Sequence, residues 1–200
     1  MASKRDQYVG QRALEEADQV TIRAFFGIPV PDPQREQLGG FLAECAIAAP
    51  EFRWSVAENL HLTVRFVGSV DRSVVEGIAG RLDGAAGPSI QLALGEAGTF
   101  KRSRLARVVW MGLKSGADDL AALAARVEAE CRAAGLAPEA RPFQPHLTLA
   151  RARSRDGAPL PNLPAIPMLA PWRADELILY WSHLNKNGAV HEPIRRIALG

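Results

Sequence analysis

Four histidines occur in the 200 residues, and two of them open the same tripeptide: His61 in "HLTVRF" and His146 in "HLTLAR". Imidazole has an ordinary pKa of about 6.5, close enough to neutral to take or give a proton there. Each histidine is followed two positions later by a threonine, Thr63 or Thr148, whose hydroxyl can donate to an anionic oxygen. Two imidazoles flanking one bound group suit an in-line displacement at phosphorus. One removes a proton from the attacker and the other supplies one to the departing oxygen. Hydroxyls and an arginine can neutralise the developing charge, so such a site needs no metal.

In an extended strand, successive side chains face opposite sides. His61 and Thr63 then share one face while Leu62 and Val64 share the other; His146 and Thr148 stand against Leu147 and Leu149 in the same way. Burying an imidazole or a hydroxyl without a partner costs free energy, so both polar faces are expected to line a cleft. Two like units related by a pseudo-twofold axis would turn their His-Thr pairs toward each other. No self-similarity extends beyond the tripeptide, so a duplication is suggested by the motif alone.

The elements that must carry these pairs read as a mixed order. "VTIRAFFGIPV" from Val20, "FRWSV", "NLHLTVRFVG", "SIQLALGEAGTF", "LARVVWMGL", "QPHLTLAR", "ADELILYWSHL" and "AVHEPIRRIAL" have strand character. Residues 32–48, 71–83 and 117–134 have helical spacing, with Asp71 as an N-cap and Gly135 at a C-terminal cap. Residues 152–171 have no period and read as a loop, "KRSRLAR" joins two strands as a basic loop, and "NKNG" is hairpin chemistry. Hairpins are too many for a parallel sheet, so the expected class is α+β: two pseudo-symmetric lobes of mainly antiparallel sheet, helices outside, and a central cleft with one His-x-Thr motif per lobe. Residues 1–19 read as a flexible leader and 20–200 as one bilobal domain.

Composition fits an ordinary soluble protein: 48% hydrophobic and 23% charged, with a net charge of +2. No apolar run approaches a membrane span, the first residues lack the apolar core of a secretory signal, and a cytoplasmic location is expected. Cys45 and Cys131 fall on the apolar stripes of their helices and read as buried hydrophobes. There is no glycine-rich phosphate loop, CxxC or HExxH, and a zinc site built from the histidines would lack a known ligand spacing. Arginine far outnumbers lysine, and cations cluster in "KRSRLAR" and "RARSR".

These residues resemble the two-histidine (2H) phosphoesterase superfamily, which is marked by paired His-x-Thr motifs, and within it the RNA 2′,3′-cyclic phosphodiesterases, historically called 2′-5′ RNA ligases. The resemblance runs through "IRAFFGIPVP", "ENLHLTVRFVGSV", "RVVWMGL", "PFQPHLTLARAR" and "ELILYWSHLNKNGAVHEPI", leaving only residues 1–19 outside. It implies metal-independent, cofactor-free hydrolysis of a ribose 2′,3′-cyclic phosphate to a 2′-phosphate, with a reversible 2′-5′ joining activity. The substrate would be an RNA end, tRNA-like fragments included. It implies that His61 and His146 are the acid–base pair; which is which does not follow from the resemblance, and we assign His61 to protonate O3′ and His146 to activate water. Thr63, Thr148 and Arg151 would hold the phosphate. Arg151 follows His146 by five, which in an ideal strand points it to the wrong face, so the strand must end or bulge between them.

Phe143 and Trp54 are candidates for stacking on a base, and Ser182 for touching the nucleotide. Arg65 faces solvent or RNA in this reading, His183 and His191 are surface or structural residues, and "KRSRLAR" contacts the RNA backbone. Other members of the superfamily, acting on small cyclic nucleotides or as exonucleases, are the first alternative. A non-catalytic RNA-binding module is the second, though arginine would serve binding alone better than histidine. Nothing in the sequence requires a dimer, and a monomer with no membrane partner is expected.

Overall fold

A computed structural model describes residues 20–160, 162–186 and 188–200; the leader expected at 1–19 lies outside them. The chain runs β1 (Thr21–Pro29), α1 (Asp32–Ala48), β2 (Phe52–Trp54), a 3-10 turn (Ala57–Asn59), β3 (His61–Asp71), α2 (Arg72–Leu82), β4 (Ile90–Arg102), β5 (Leu105–Ser115), α3 (Ala117–Ala133), β6 (Leu147–Ala152), β7 (Trp172–Ala174), β8 (Glu176–Asn185) and β9 (Gly188–Ala198). Every pairing between these strands is antiparallel. Their order across the sheet is β7-β4-β5-β6-β3-β1-β8-β9, with β2 also on β6. The α+β class is as expected.

The helices form where the apolar spacing predicts them. Leu38, Phe41, Leu42 and Cys45 are buried on α1, and Leu120, Leu123, Ala124, Val127 and Cys131 on α3. Burial raises both thiols to about 11, which leaves them as core hydrophobes. The Asp71 carboxylate caps α2 by accepting the Ser73 amide at 2.8 Å. After α3, Gly135 takes a left-handed φ of 81°, and the Gly135 and Leu136 amides donate to the carbonyls of Arg132 and Cys131, the Schellman closure that favours glycine. Inward strand residues and helix stripes form one core, so the opposite sheet face is free for chemistry.

Two readings change. The basic stretch is a tight hairpin rather than a loop: β4 runs through Arg102, β5 starts at Leu105, and Ser103 takes the left-handed turn at φ 55°. The residues just after the aperiodic segment, Trp172–Ala174, join the sheet as β7, pairing with β4 at Ile90↔Ala174; three residues are too few to show a period. The β8–β9 hairpin closes at Asn185↔Gly188 as expected, with Asn187 outside the described residues. No helix among the described residues is long and apolar enough to cross a membrane.

Candidate active site

β3 and β6 are neighbours in the middle of the sheet, and they pair at one position, Leu62↔Leu147. These are the central residues of the two tripeptides, and both are fully buried. Antiparallel register then sets His61 against Thr148 and Thr63 against His146. The two imidazoles become diagonal neighbours on one face, about 7–8 Å apart at the backbone in a regular ladder. Each Nδ1 donates to the carbonyl two residues upstream, Asn59 for His61 and Gln144 for His146, both at 2.7 Å. That bond fixes the tautomer and leaves Nε2 for chemistry. The Thr63 hydroxyl lies 3.0 Å from His61 Nε2.

The parity problem at Arg151 is solved by a bulge. β5 pairs Trp110↔Thr148 and then Val109↔Ala150, so Leu149 is an extra residue in β6. The same irregularity occurs in β3, where Gly27↔Thr63 is followed by Phe26↔Arg65 and Val64 is the extra residue. A bulge of this kind flips the face of everything beyond it. Residues 61–66 and 146–151 consequently share one burial pattern, in which the fourth and fifth residues are buried and the sixth is exposed. The fifth residue counted from each histidine thus turns inward and the sixth outward. Arg151 stands exposed on the cleft side with His146, and its equivalent in the first copy is Phe66, 41% exposed.

The same bulge corrects the reading of Arg65. It is 8% exposed, and although it borders the cavity beside Phe143, its guanidinium turns to α3 and the segment after it. It pairs with Glu128 and Glu139 and donates to the carbonyls of Phe66 and Ala137. This arginine ties β3 to α3 and the segment after it.

An aromatic wall backs each histidine. Phe25 lies 4.5 Å from His61 between ring centroids and stacks on Tyr180 at 4.9 Å. Phe100 and Trp110 lie 5.1 and 6.4 Å from His146. Gly27 makes room for the first wall: a Cβ there would sit 3.3 Å from the His61 ring and 3.1 Å from the Leu62 carbonyl. His191, assigned a surface or structural role from sequence, stands edge-on to His61 at 5.1 Å. No local pattern announces it, because β9 reaches His61 only through the fold.

The electrostatics follow from this crowding. Burial lowers His61 to about 4, and the nearby charges of His191, Arg151 and His146 push the same way against the Asn59 hydrogen bond. His146 is lowered by burial and by Arg151. These surroundings favour two neutral imidazoles beside an arginine, and an anion placed among them would favour protonation.

The remaining candidates divide. Phe143 lines a cavity of about 270 Å³ together with Thr63, Phe66, Phe100 and His146. Ser182 lies on the cleft face as the cross-strand partner of His191. Trp54 belongs to the packing instead: its indole donates to the Ala49 carbonyl at 3.0 Å and its ring lies against Phe52 and the core. His183 packs on Trp181 at 4.7 Å. Among the described residues, no group of three or more His, Cys, Asp or Glu could hold a metal ion.

Residues 31–186 match the model of a family described as the 2'-5' RNA ligase superfamily. The Escherichia coli K12 protein named RNA 2',3'-cyclic phosphodiesterase is 32% identical over 181 residues, covering 88% of this chain and 96% of that protein. The Aeropyrum pernix protein of the same name is 38% identical over 112 residues, 56% of this chain and 61% of its own length. The crystal structure of E. coli LigT complexed with 3'-AMP superposes with a TM-score of 0.76 at 31% identity, covering 90% of this chain and 99% of that one.

Proposed function

As a member of the 2'-5' RNA ligase superfamily, this chain is, we propose, a phosphodiesterase that opens ribose 2′,3′-cyclic phosphate at RNA ends to give a 2′-phosphate. The observation that carries the reading is the matched pair of imidazoles, each oriented by the carbonyl two residues upstream and brought onto one face by Leu62↔Leu147. Support for the RNA end comes from relatives that bear the name of this activity.

In this reading, the cyclic phosphate lies between the imidazoles, with Thr63, Thr148 and Arg151 donating to its non-bridging oxygens. His146 Nε2 takes a proton from water, whose oxygen attacks phosphorus opposite O3′. The P–O3′ bond breaks and O3′ receives the proton of His61, leaving a 3′-hydroxyl and a 2′-phosphate. With a 5′-hydroxyl in place of water, the same opening of the 2′,3′-cyclic end frees the 3′-hydroxyl and joins two RNAs through a 2′-5′ bond; its reversal, 3′-hydroxyl attack on that bond, restores the cyclic end. Burial lowers His61 to about 4, and a phosphate anion beside it raises its proton affinity. Phe143 and Phe66 line the cavity beside Thr63 and His146, and Arg23 covers one face of the Phe66 ring at 4.8 Å, so the terminal base would stack on Phe143 or on the other face of Phe66.

The test is incubation with a short RNA ending in 2′,3′-cyclic phosphate in excess chelator, with the product ends identified. Formation of a 2′-phosphate is expected, and loss of turnover by about 10²–10⁴ in His61→Ala or His146→Ala. An activated leaving group should rescue His61→Ala selectively; rescue of His146→Ala instead would reverse the two roles. A 3′-phosphate product, or wild-type turnover in both variants, would overturn the reading.

A further inference from the structure

Two large grooves flank the histidines, nearly equal in size but different in charge, one close to balanced and one basic. One, about 890 Å³, passes His191 and Tyr180 and is lined by three arginines and four acids. Its ion pairs Arg35–Asp32, Arg173–Asp175 and Arg196–Glu176 leave little net field. The other, about 830 Å³, opens at His146 and Arg151 and is lined by seven lysine and arginine side chains and no acid. Lys101, Arg102 and Arg107 come from the β4–β5 hairpin, while Arg153 and Arg155 come from the turn after β6. Asp156 nearby answers only Arg102, at 3.1 Å.

The second groove has fixed walls. Ala106 and Ala158 exchange backbone hydrogen bonds at 3.0 Å, tying the turn to β5. Gly157 sits at φ 98°, where a Cβ would lie 2.8 Å from the Ala106 carbonyl. Like charges held together on such a frame repel one another; Arg107 lowers the proton affinity of Arg151, after burial. A chain of anions running along the groove relieves that repulsion at every step.

We propose that this basic groove is a track for the phosphodiester backbone of the nucleotides preceding the reactive end, so that the enzyme prefers oligonucleotide ends to cyclic mononucleotides. The proposal rests on the RNA-end reading above for its substrate, and it goes beyond that reading in assigning a strand path and a length preference. Arg104, which the sequence grouped with the other cations, is absent from the lining; Arg153 and Arg155 take its place.

The test compares the full chain with Lys101→Glu/Arg155→Glu and with the milder Arg155→Ala. Binding of a labelled single-stranded RNA of about ten nucleotides is measured against salt, alongside turnover of the same RNA with a cyclic end and of a cyclic mononucleotide. The oligonucleotide is expected to have a KM at least about tenfold below that of the mononucleotide at low salt, with the gap closing as salt rises. The double variant should lose most of that advantage and about 1.4 units of log–log salt slope, for about two phosphate contacts. Its mononucleotide turnover should stay at the wild-type level, and Arg155→Ala should move the same way by less. Equal KM for both substrates in the wild type, or unchanged RNA affinity and salt slope in the variants, would overturn the track. If neither cyclic substrate turns over but RNA binding is weakened in the variants, the track stands and the catalytic reading fails.

Discussion

The ring of His191 meets that of His61 at 88°, with centroids 5.1 Å apart. One residue from the last strand thus touches the catalytic candidate of the third. Around His61 the other neighbours are the Asn59 carbonyl, the Thr63 hydroxyl, Phe25, Tyr180 and the charges of Arg151 and His146. After burial, the charge of His191 does most to lower His61, ahead of Arg151 and His146.

Replacing His191 with Phe keeps an aromatic edge and removes that charge. His61 should then titrate above its present value of about 4, while staying below the ordinary histidine value because its burial persists. NMR titration of the His61 ring would read this directly. An unmoved titration would show that the contact is packing alone.

Two arginines just beyond the threonines, Arg65 and Arg151, separate structure from chemistry. Arg65→Ala leaves Glu128 and Glu139 without their partner, and should cost about 2 kcal/mol after allowing for the partial exposure of the two acids. Its effect should appear in the melting temperature and not in the KM for a cyclic nucleotide. Arg151→Ala, exposed on the cleft side, should do the reverse, raising KM with little loss of stability. Thermal melts and steady-state kinetics on the same preparations would check both; a KM defect in Arg65→Ala would contradict the bulge geometry.

Acid should unfold the protein partly through its active site. A histidine whose folded pKa is depressed stabilises the fold while neutral. That contribution is complete above its ordinary value of 6.5 and drains away as pH falls toward about 4. For His61 the loss amounts to at most about 3 kcal/mol, and His146 and His191 are lowered in the same direction. Denaturant melts at several pH values between 7.5 and 4 should show a smaller loss in His61→Gln than in the wild type. Parallel losses would mean that His61 does not titrate differently on folding.

Much of this was legible beforehand. The helices, the hairpin and the polar faces of both motifs follow from periodicity, because amphipathic patterns report burial directly. The need for a bulge before Arg151 followed from counting. What could not be read was the twin bulge at Val64, since a single extra residue leaves no compositional mark, and so Arg65 was placed on the wrong side. Trp54 has the right type near the motif, yet its indole NH is spent on Ala49. His191 joins His61 across a long sequence separation that no local window spans.

The twin bulges also give the scaffold a sense of direction. Two nearly identical frames end in different sockets, a phenyl ring at Phe66 and a guanidinium at Arg151. A substrate seated between them meets something flat on one flank and something cationic on the other. Swapping the two side chains would therefore invite the nucleotide to lie the other way round, with acid and base exchanging duties on an unchanged backbone.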